Sequence, residues 1–399
     1  MTRGAPDREL ESAERAGEAA GERVRSLQLA DLHRAAGASL EVDVERGVEL
    51  PRRFADARRE QAAFATSAGL VDASWQGVAD LRGPNVARVL RGVFTSAVTN
   101  LSPGEGQPSA LLTARGRIVA LFHIFLLAPD RCRLVFTEPA RPGLLRQIER
   151  YVALSDIAVE ERDDSVAVLA VQGPRTTDVL AAAGWTGDLA AAPLCLARGE
   201  IAGAPVDACR GGPTPEGGCL LWVPRAALAE VWERLAASTR EAGGLPAGAE
   251  AFDALRIEAG RARYRCEYDD ESFPNEVRWE HALTYDKCYV GQEIVARMKT
   301  YGEVHRRLKG LRLPDGGEGG IARGAALLAG DEDAGIVTST CASVRLDAPI
   351  ALALVKRKHW DRASVEVETP AGRVEAEVVE LPFVARRREW TDPAADAPP

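Results

Sequence analysis

Residues 284–302 read TYDKCYVGQEIVARMKTYG. The stretch puts Cys288 beside Lys287, passes through Tyr289-Val290-Gly291, and enters a run in which Val290, Ile294, Val295 and Met298 recur at helical spacing. Glu293 falls near the start of that helix, and Arg297 and Lys299 fall in its later turns, as the helix dipole favours. A thiol just ahead of a helix start meets unpaired amides and a partial positive charge, and a neighbouring ammonium adds to both. Two readings of Cys288 are open: a reactive sulfur with Lys287 as its cation, or a small residue packing a turn.

Beyond residue 305 the pattern changes. The phrases RRLKGLRL, GAALLA, GIVTSTCAS, IALALVK, SVEVET and RVEAEVVEL are short strands parted by Gly, Asp and Pro turns, which predicts a small antiparallel barrel or sandwich over 305–385. The last residues, 386–399, read as a disordered tail.

Before residue 284, strands and helices alternate as in an α+β region. SALLTARGRIVALFHIFLLAPDRCRLVFTE predicts strands turning at Arg115-Gly116 and Pro129-Asp130. RPGLLRQIERYVAL is an amphipathic helix with Leu144, Leu145, Ile148, Tyr151 and Val152 on one face. VAVLAVQGP and CLLWVP are buried-type strands, each followed by a helix. A further helix ends near Leu70, with Gly69 as its expected stop. Residues 1–47 are charged and alanine-rich without a sustained apolar stripe, and we expect a flexible extension there.

The chain has 399 residues, enough for roughly two to three domains, and its 46% hydrophobic and 27% charged residues are those of an ordinary globular protein. A net charge of -9 argues against a dominant nucleic-acid backbone binder. No stretch is apolar enough for a membrane span or a secretory signal. Seven cysteines without a CxxC pair point to a reducing compartment, and the expected location is cytoplasmic. His123, His281 and His305 show no metal-ligand spacing, so no metal is expected.

Cys288-Tyr289, Gly291, Gln292 and Glu293 match a Lys-Gly-Cys-Tyr-x-Gly-Gln-Glu signature, and ALRIEAGRARY at 254–264 lies in the expected order before it. With the weaker phrases GLVDAS, LLTARGRI, VQGP and AEVVELPF, the chain over roughly 48–385 resembles the GcvT-like folate-binding family. That family includes the glycine-cleavage aminomethyltransferase and the YgfZ-type proteins of iron–sulfur protein maintenance. The resemblance implies a multi-part folate-binding α+β region over 48–304, a C-terminal β-barrel, and a pocket between them faced by residues 284–299.

The resemblance further implies tetrahydrofolate or a derivative as cofactor, a reduced folate as partner, and possible iron–sulfur client or assembly proteins. On this basis Glu258 grips the aminopyrimidinone edge of a pterin, with Arg256 beside it; a salt bridge from Glu258 to Arg256 or Arg261 is the alternative. Tyr264 and Tyr289 stack on the ligand or pack the core. Gly291, Gln292 and Glu293 shape the turn or meet the folate. Arg297, with Arg306 and Arg307, pairs with a glutamate tail or stays solvated. The chain departs from the pattern in four places, one of them after Gly260, where Ala262 and Arg265 stand for an Arg-Pro and a later Tyr-Gly. Asp286-Lys287 stands for Lys-Gly, Thr95-Ser96-Ala97 for a Thr-Asn-Asp phrase, and Ala120-Leu121 for the two aspartates of the transferase branch. The function expected first is therefore YgfZ-type folate binding with Cys288 chemistry. Aminomethyl transfer is the alternative, and a scaffold with a degenerate pocket is the second alternative.

Overall fold

The computed structural model describes residues 24–162, 164–301, 304–314 and 321–385. The expected tail at 386–399 and the first 23 residues of the expected extension lie outside them.

Two sheets build the α+β region. One has five strands in the order Gly106–Leu112, Ile118–Ala128, Arg131–Thr137, Gln76–Arg82, Ala158–Glu161. The other has six, in the order Leu196–Ile201, Ala204–Arg210, Gly218–Pro224, Val166–Gln172, Gly69–Asp72, Leu245–Pro246. Side-chain alternation at period two decides which face each strand gives to which neighbour. On Ile118–Ala128, the even residues Ala120, Phe122, Ile124 and Leu126 pack under the helix Arg141–Val152 with its Leu144, Leu145, Ile148 and Val152. On Val166–Gln172, the odd residues Ala167, Leu169 and Val171 meet the helices Thr176–Ala182 and Leu228–Glu241.

The opposite faces look at each other. Phe125 and Val135 from the first sheet meet Val168, Ala170 and Trp222 from the second in one apolar cluster. The helix Ala249–Glu258 joins it through Ala251, Phe252 and Leu255. Its Arg256 and Glu258 are as buried as its apolar residues. Charged side chains are rarely so enclosed without partners, so this helix marks the place to look for a polar network.

The six C-terminal strands Arg306–Arg312, Ala326–Ala329, Glu332–Ser343, Ala348–Lys356, Ser364–Thr369 and Gly372–Val379 form a closed antiparallel barrel. Arg306–Arg312 closes it by pairing with both Ala348–Lys356 and Gly372–Val379, which leaves no open edge. The expected fold class, an α+β region followed by a β-barrel, is the observed one. Among the described residues no helix is long and apolar enough to cross a membrane.

Two expectations are corrected. Residues 24–47, expected to belong to a flexible extension, are folded: the strands Arg25–Ser26 and Ser39–Asp43 form a three-stranded sheet with Val48–Arg53, and the helix Ala30–Ala35 lies between them in sequence. Few apolar residues hold this segment. Buried Leu27 and Leu29 do so, joined by a His33 Nε2–Asp72 Oδ2 contact of 2.9 Å and by the His33 ring against Phe54 and Trp232. The second correction concerns Gly69, which does not stop the preceding helix. Ala57–Thr66 ends at Ser67, and Gly69 opens a strand where an added Cβ would lie 2.3 Å from the Phe64 ring.

Candidate functional site

A cavity of about 240 Å³ opens between the two sheets and the helix Ala249–Glu258. Trp75, Phe125, Trp222, Phe252, Tyr268 and Trp279 supply aromatic walls, and Leu121 and Val135 complete the apolar lining. Leu121, His123 and Phe125 are alternate residues of one strand, so the pleat delivers all three to this side. Trp222 contributes an indole Nε1–H that is buried without a hydrogen-bond partner.

One end of the cavity is ionic, with Arg46, Asp253, Arg256, Arg261 and Arg263 in its wall. Asp253 takes three guanidinium groups: Arg46 Nη2 at 2.7 Å, Arg263 Nη1 at 2.8 Å and Arg256 Nε at 3.2 Å. Burial alone pushes the Asp253 carboxyl up, but Arg46, Arg263 and Arg256 together hold it well below the usual carboxylate range. Arg46 also pairs with Asp43. Arg256 reaches Glu267 at 3.0 Å and Ser339 of the barrel at 2.7 Å.

A second cavity of about 110 Å³ adjoins the first. His123, Pro213, Arg261, Ala262 and Trp279 line both, and Glu258 lines the smaller one. The Glu258 carboxylate accepts from Ser343 Oγ at 2.6 Å and from Arg345 Nε at 3.2 Å. Arg345 in turn donates to Glu216 at 3.0 Å. The salt bridge weighed for Glu258 therefore exists, but its partner is Arg345 of the barrel rather than Arg256 or Arg261.

The 284–301 segment sits elsewhere. The cavity was expected between the α+β region and the barrel, faced by residues 284–299. Instead the larger cavity lies inside the α+β region, and no residue after Trp279 lines it. The reason is local. Gly291 has φ 82°, and its bare Cα lies so close to the hairpin that an added Cβ would sit 2.4 Å from Thr113 O. That approach docks the helix Gln292–Tyr301 on the hairpin turn, where Tyr289 and Val295 pack in one apolar cluster with Leu112, Ile118 and Leu121 rather than opening onto the cavity.

Lys287 is buried, and its ammonium donates to the Arg91 and Phe94 carbonyls, Nζ lying 2.7 Å from Arg91 O. Burial lowers its pKa to about 8. Cys288 is exposed, and Tyr289 is buried with its hydroxyl unpartnered. Gln292 donates to Tyr285 O at 3.3 Å, and Glu293 and Arg297 are exposed. Tyr264 packs beside Tyr268 and donates to Asp270 at 2.7 Å. Of the ten residues named from the sequence, Arg256 lines the larger cavity and Glu258 the smaller; Lys287, Cys288, Tyr264, Tyr289, Gly291, Gln292, Glu293 and Arg297 line neither.

The sequence reading passed over Trp222 and Asp253, and it named Arg261 only as a salt-bridge partner for Glu258. A signal for the first existed in its strand, where Trp222 sits on the face opposite Cys219, Leu221 and Val223. A signal for Asp253 was its place one turn before Arg256, on a helix whose other charges are Glu250 and Glu258. Among the described residues no group of three or more His, Cys, Asp or Glu side chains is placed to hold a metal ion.

Residues 29–287 match the GCVT N-terminal domain, and residues 306–385 match the glycine cleavage T-protein C-terminal barrel domain. An aminomethyltransferase of Mycobacterium avium (strain 104) is 33% identical over 361 residues, 90% of this chain and 96% of that one. Another, from Rubrobacter xylanophilus, is 33% identical over 380 residues, 94% and 97% of the two chains. The crystal structure of glycine cleavage system aminomethyltransferase T from Bartonella henselae superposes with a TM-score of 0.83, covering 92% of this chain and 99% of that one, at 23% identity, a likeness of fold. With both domains matched in order and relatives aligned along nine-tenths of its length, the chain belongs to the glycine cleavage T-protein family, within the GcvT-like folate-binding superfamily.

Proposed function

We propose that the chain binds a reduced folate, tetrahydrofolate or a derivative, in the central cavity and acts on a one-carbon unit that the folate carries. The observation that carries this reading is the cavity's wall. Flat aromatic faces on several sides suit a flat heteroaromatic ring, and the buried Trp222 Nε1–H lacks an acceptor that a ligand can supply. The volume, about 240 Å³, is slightly below the roughly 300–1,000 Å³ of typical ligand sites, so the ring portion fits and a longer tail must leave through an opening.

The likeness to curated aminomethyltransferases favours aminomethyl chemistry on that folate. In such a reaction a methylene passes from a carrier-bound aminomethyl group to the folate and ammonia departs. The folate supplies the nitrogens that accept the carbon. The protein's part is to exclude water, hold the ring and handle protons. Leu121 occupies a cavity position where the family resemblance expects a carboxylate, and Asp253 is kept ionised by three guanidinium groups. Proton handling by a cavity side chain thus falls to His123.

A second reading, the YgfZ-type role in iron–sulfur protein maintenance, rests on the exposed Cys288 within its matching motif. It is the weaker one here, because the sulfur does not line the cavity in which it was expected to work. The test is calorimetry with tetrahydrofolate, followed by an ammonia-release assay with an aminomethylated lipoyl carrier protein. Binding with folate-dependent ammonia release is expected. Binding without release transfers the case to the YgfZ type, and no binding at millimolar folate ends the folate reading.

A further inference from the structure

We infer that Arg261 anchors an anionic tail of the ligand at the neck between the two cavities, so that the site selects folates bearing a glutamate carboxylate over bare pterins. This deepens the folate reading and rests on it. The cavity wall holds four guanidinium groups, and three are already committed. Arg46 and Arg263 sit on Asp253 at 2.7 and 2.8 Å, and Arg256 is shared between Asp253 and Glu267. Among the described residues, the Arg261 side chain makes no ion pair or hydrogen bond, although it is half-buried.

Its backbone explains its placement. The helix Ala249–Glu258 ends in a left-handed Gly260 with φ 63°, and the Arg261 amide closes the turn on Arg256 O at 2.9 Å. An added Cβ at Gly260 would lie 2.8 Å from Leu381 Cβ, so the turn is also fixed from outside. The next residue, Arg261, therefore lies in the shared wall of the two cavities.

A half-buried cation with no counter-charge is costly unless something supplies one, and a guanidinium takes a carboxylate in a two-point contact. The larger cavity has the aromatic walls that a ring needs. The smaller, at about 110 Å³, has room for a short charged end. Its own carboxylate, Glu258, does not oppose an incoming anion, because Arg345 and Ser343 already hold it.

The test measures binding of tetrahydrofolate and of 6-methyltetrahydropterin, which keeps the ring and lacks the tail, to the full chain and to Arg261→Gln and Arg261→Lys. One lost charge-assisted bond corresponds to roughly ten- to hundredfold in affinity. Arg261→Gln is expected to lose that much for tetrahydrofolate and about twofold or less for the pterin, with Arg261→Lys in between and the melting temperature unchanged. Equal losses for both ligands, or none for tetrahydrofolate, would overturn the tail anchor and leave the folate reading standing. Failure of the unaltered chain to bind either ligand would overturn both.

Discussion

Arg46 Nη2 lies 2.7 Å from Asp253 Oδ1, across 207 residues of chain. Arg46 comes from the segment whose composition reads as a tail, and Asp253 from the helix that floors the cavity. The guanidinium also lies 4.9 Å above the Trp75 ring, so one side chain ties the N-terminal sheet, the cavity wall and the buried helix together.

Arg46→Met removes that tie. Breaking a buried pair costs about 3–5 kcal/mol, and because Arg263 and Arg256 stay on Asp253 we expect the low end, about 3 kcal/mol, in urea unfolding. The acid limb should change as well. A carboxyl held below its ordinary value stabilises the fold above about pH 4, and that contribution is lost as pH falls from there. The variant should lose less stability than the parent between about pH 4 and 2. A cost under about 1 kcal/mol with an unchanged acid limb would show that Arg46 is not a structural tie.

Lys287 gives a prediction of the same sign in a higher pH window. Its ammonium satisfies the Arg91 and Phe94 carbonyls, so Lys287→Met should cost about 1–3 kcal/mol at pH 7. The folded pKa is lowered from 10.5 to about 8, so between these values the unfolded chain binds more protons than the folded one. Stability contributed by this residue therefore rises with pH across that window. Unfolding free energies of parent and variant, measured from pH 7 to 10, should diverge; a constant difference would contradict the lowered pKa.

Gly291→Ala tests the docking of the Gln292–Tyr301 helix. The position has φ 82°, and the new Cβ would meet Thr113 O at 2.4 Å and Gly116 Cα at 3.0 Å. Backbone strain of this kind costs about 1–3 kcal/mol. The melting temperature should fall accordingly, with folate binding retained if the cavity is independent of this helix. A neutral substitution would mean that the close approach does not exist.

The thiols should separate cleanly under native alkylation. Cys288 is exposed, whereas Cys132, Cys209 and Cys219 are buried; burial pushes the Cys132 and Cys219 thiols up to about 12 and Cys209 well above its usual value. Brief iodoacetamide treatment followed by peptide mass spectrometry should find Cys288 modified first. Modification of all seven at one rate would be incompatible with this burial pattern.

How much of this was legible in the sequence depends on distance along the chain. The six barrel phrases are the six barrel strands, because each strand's pattern and turns are local. The amphipathic helix Arg141–Val152 is likewise legible, and its predicted core face is buried except for half-buried Tyr151. The cavity is another matter. Leu121, Trp222 and Asp253 belong to separate elements, and only packing of the two sheets brings them together. Glu258 illustrates the same limit: its neighbours offered Arg256 and Arg261 as partners, but the guanidinium that reaches it, Arg345, comes 87 residues later. Burial of the N-terminal segment by remote ion pairs left no periodic signal for the same reason.

Replacing Trp222 with β-(3-benzothienyl)alanine, which exchanges the indole N–H for sulfur, separates ligand binding from folding most directly. The fused ring keeps nearly the same size and shape, and the N–H donor is lost. That N–H is buried without a partner in the protein, so its removal should leave stability unchanged or raise it by up to about 1 kcal/mol. If a folate accepts from it, affinity should fall by about 1 kcal/mol, roughly fivefold, while the melting temperature of the ligand-free protein holds or rises. Calorimetry and thermal denaturation on the same preparation check both halves. Destabilisation of the ligand-free protein would mean that the N–H has a partner within the fold, and unaltered folate affinity would mean that the ligand leaves this donor unmet.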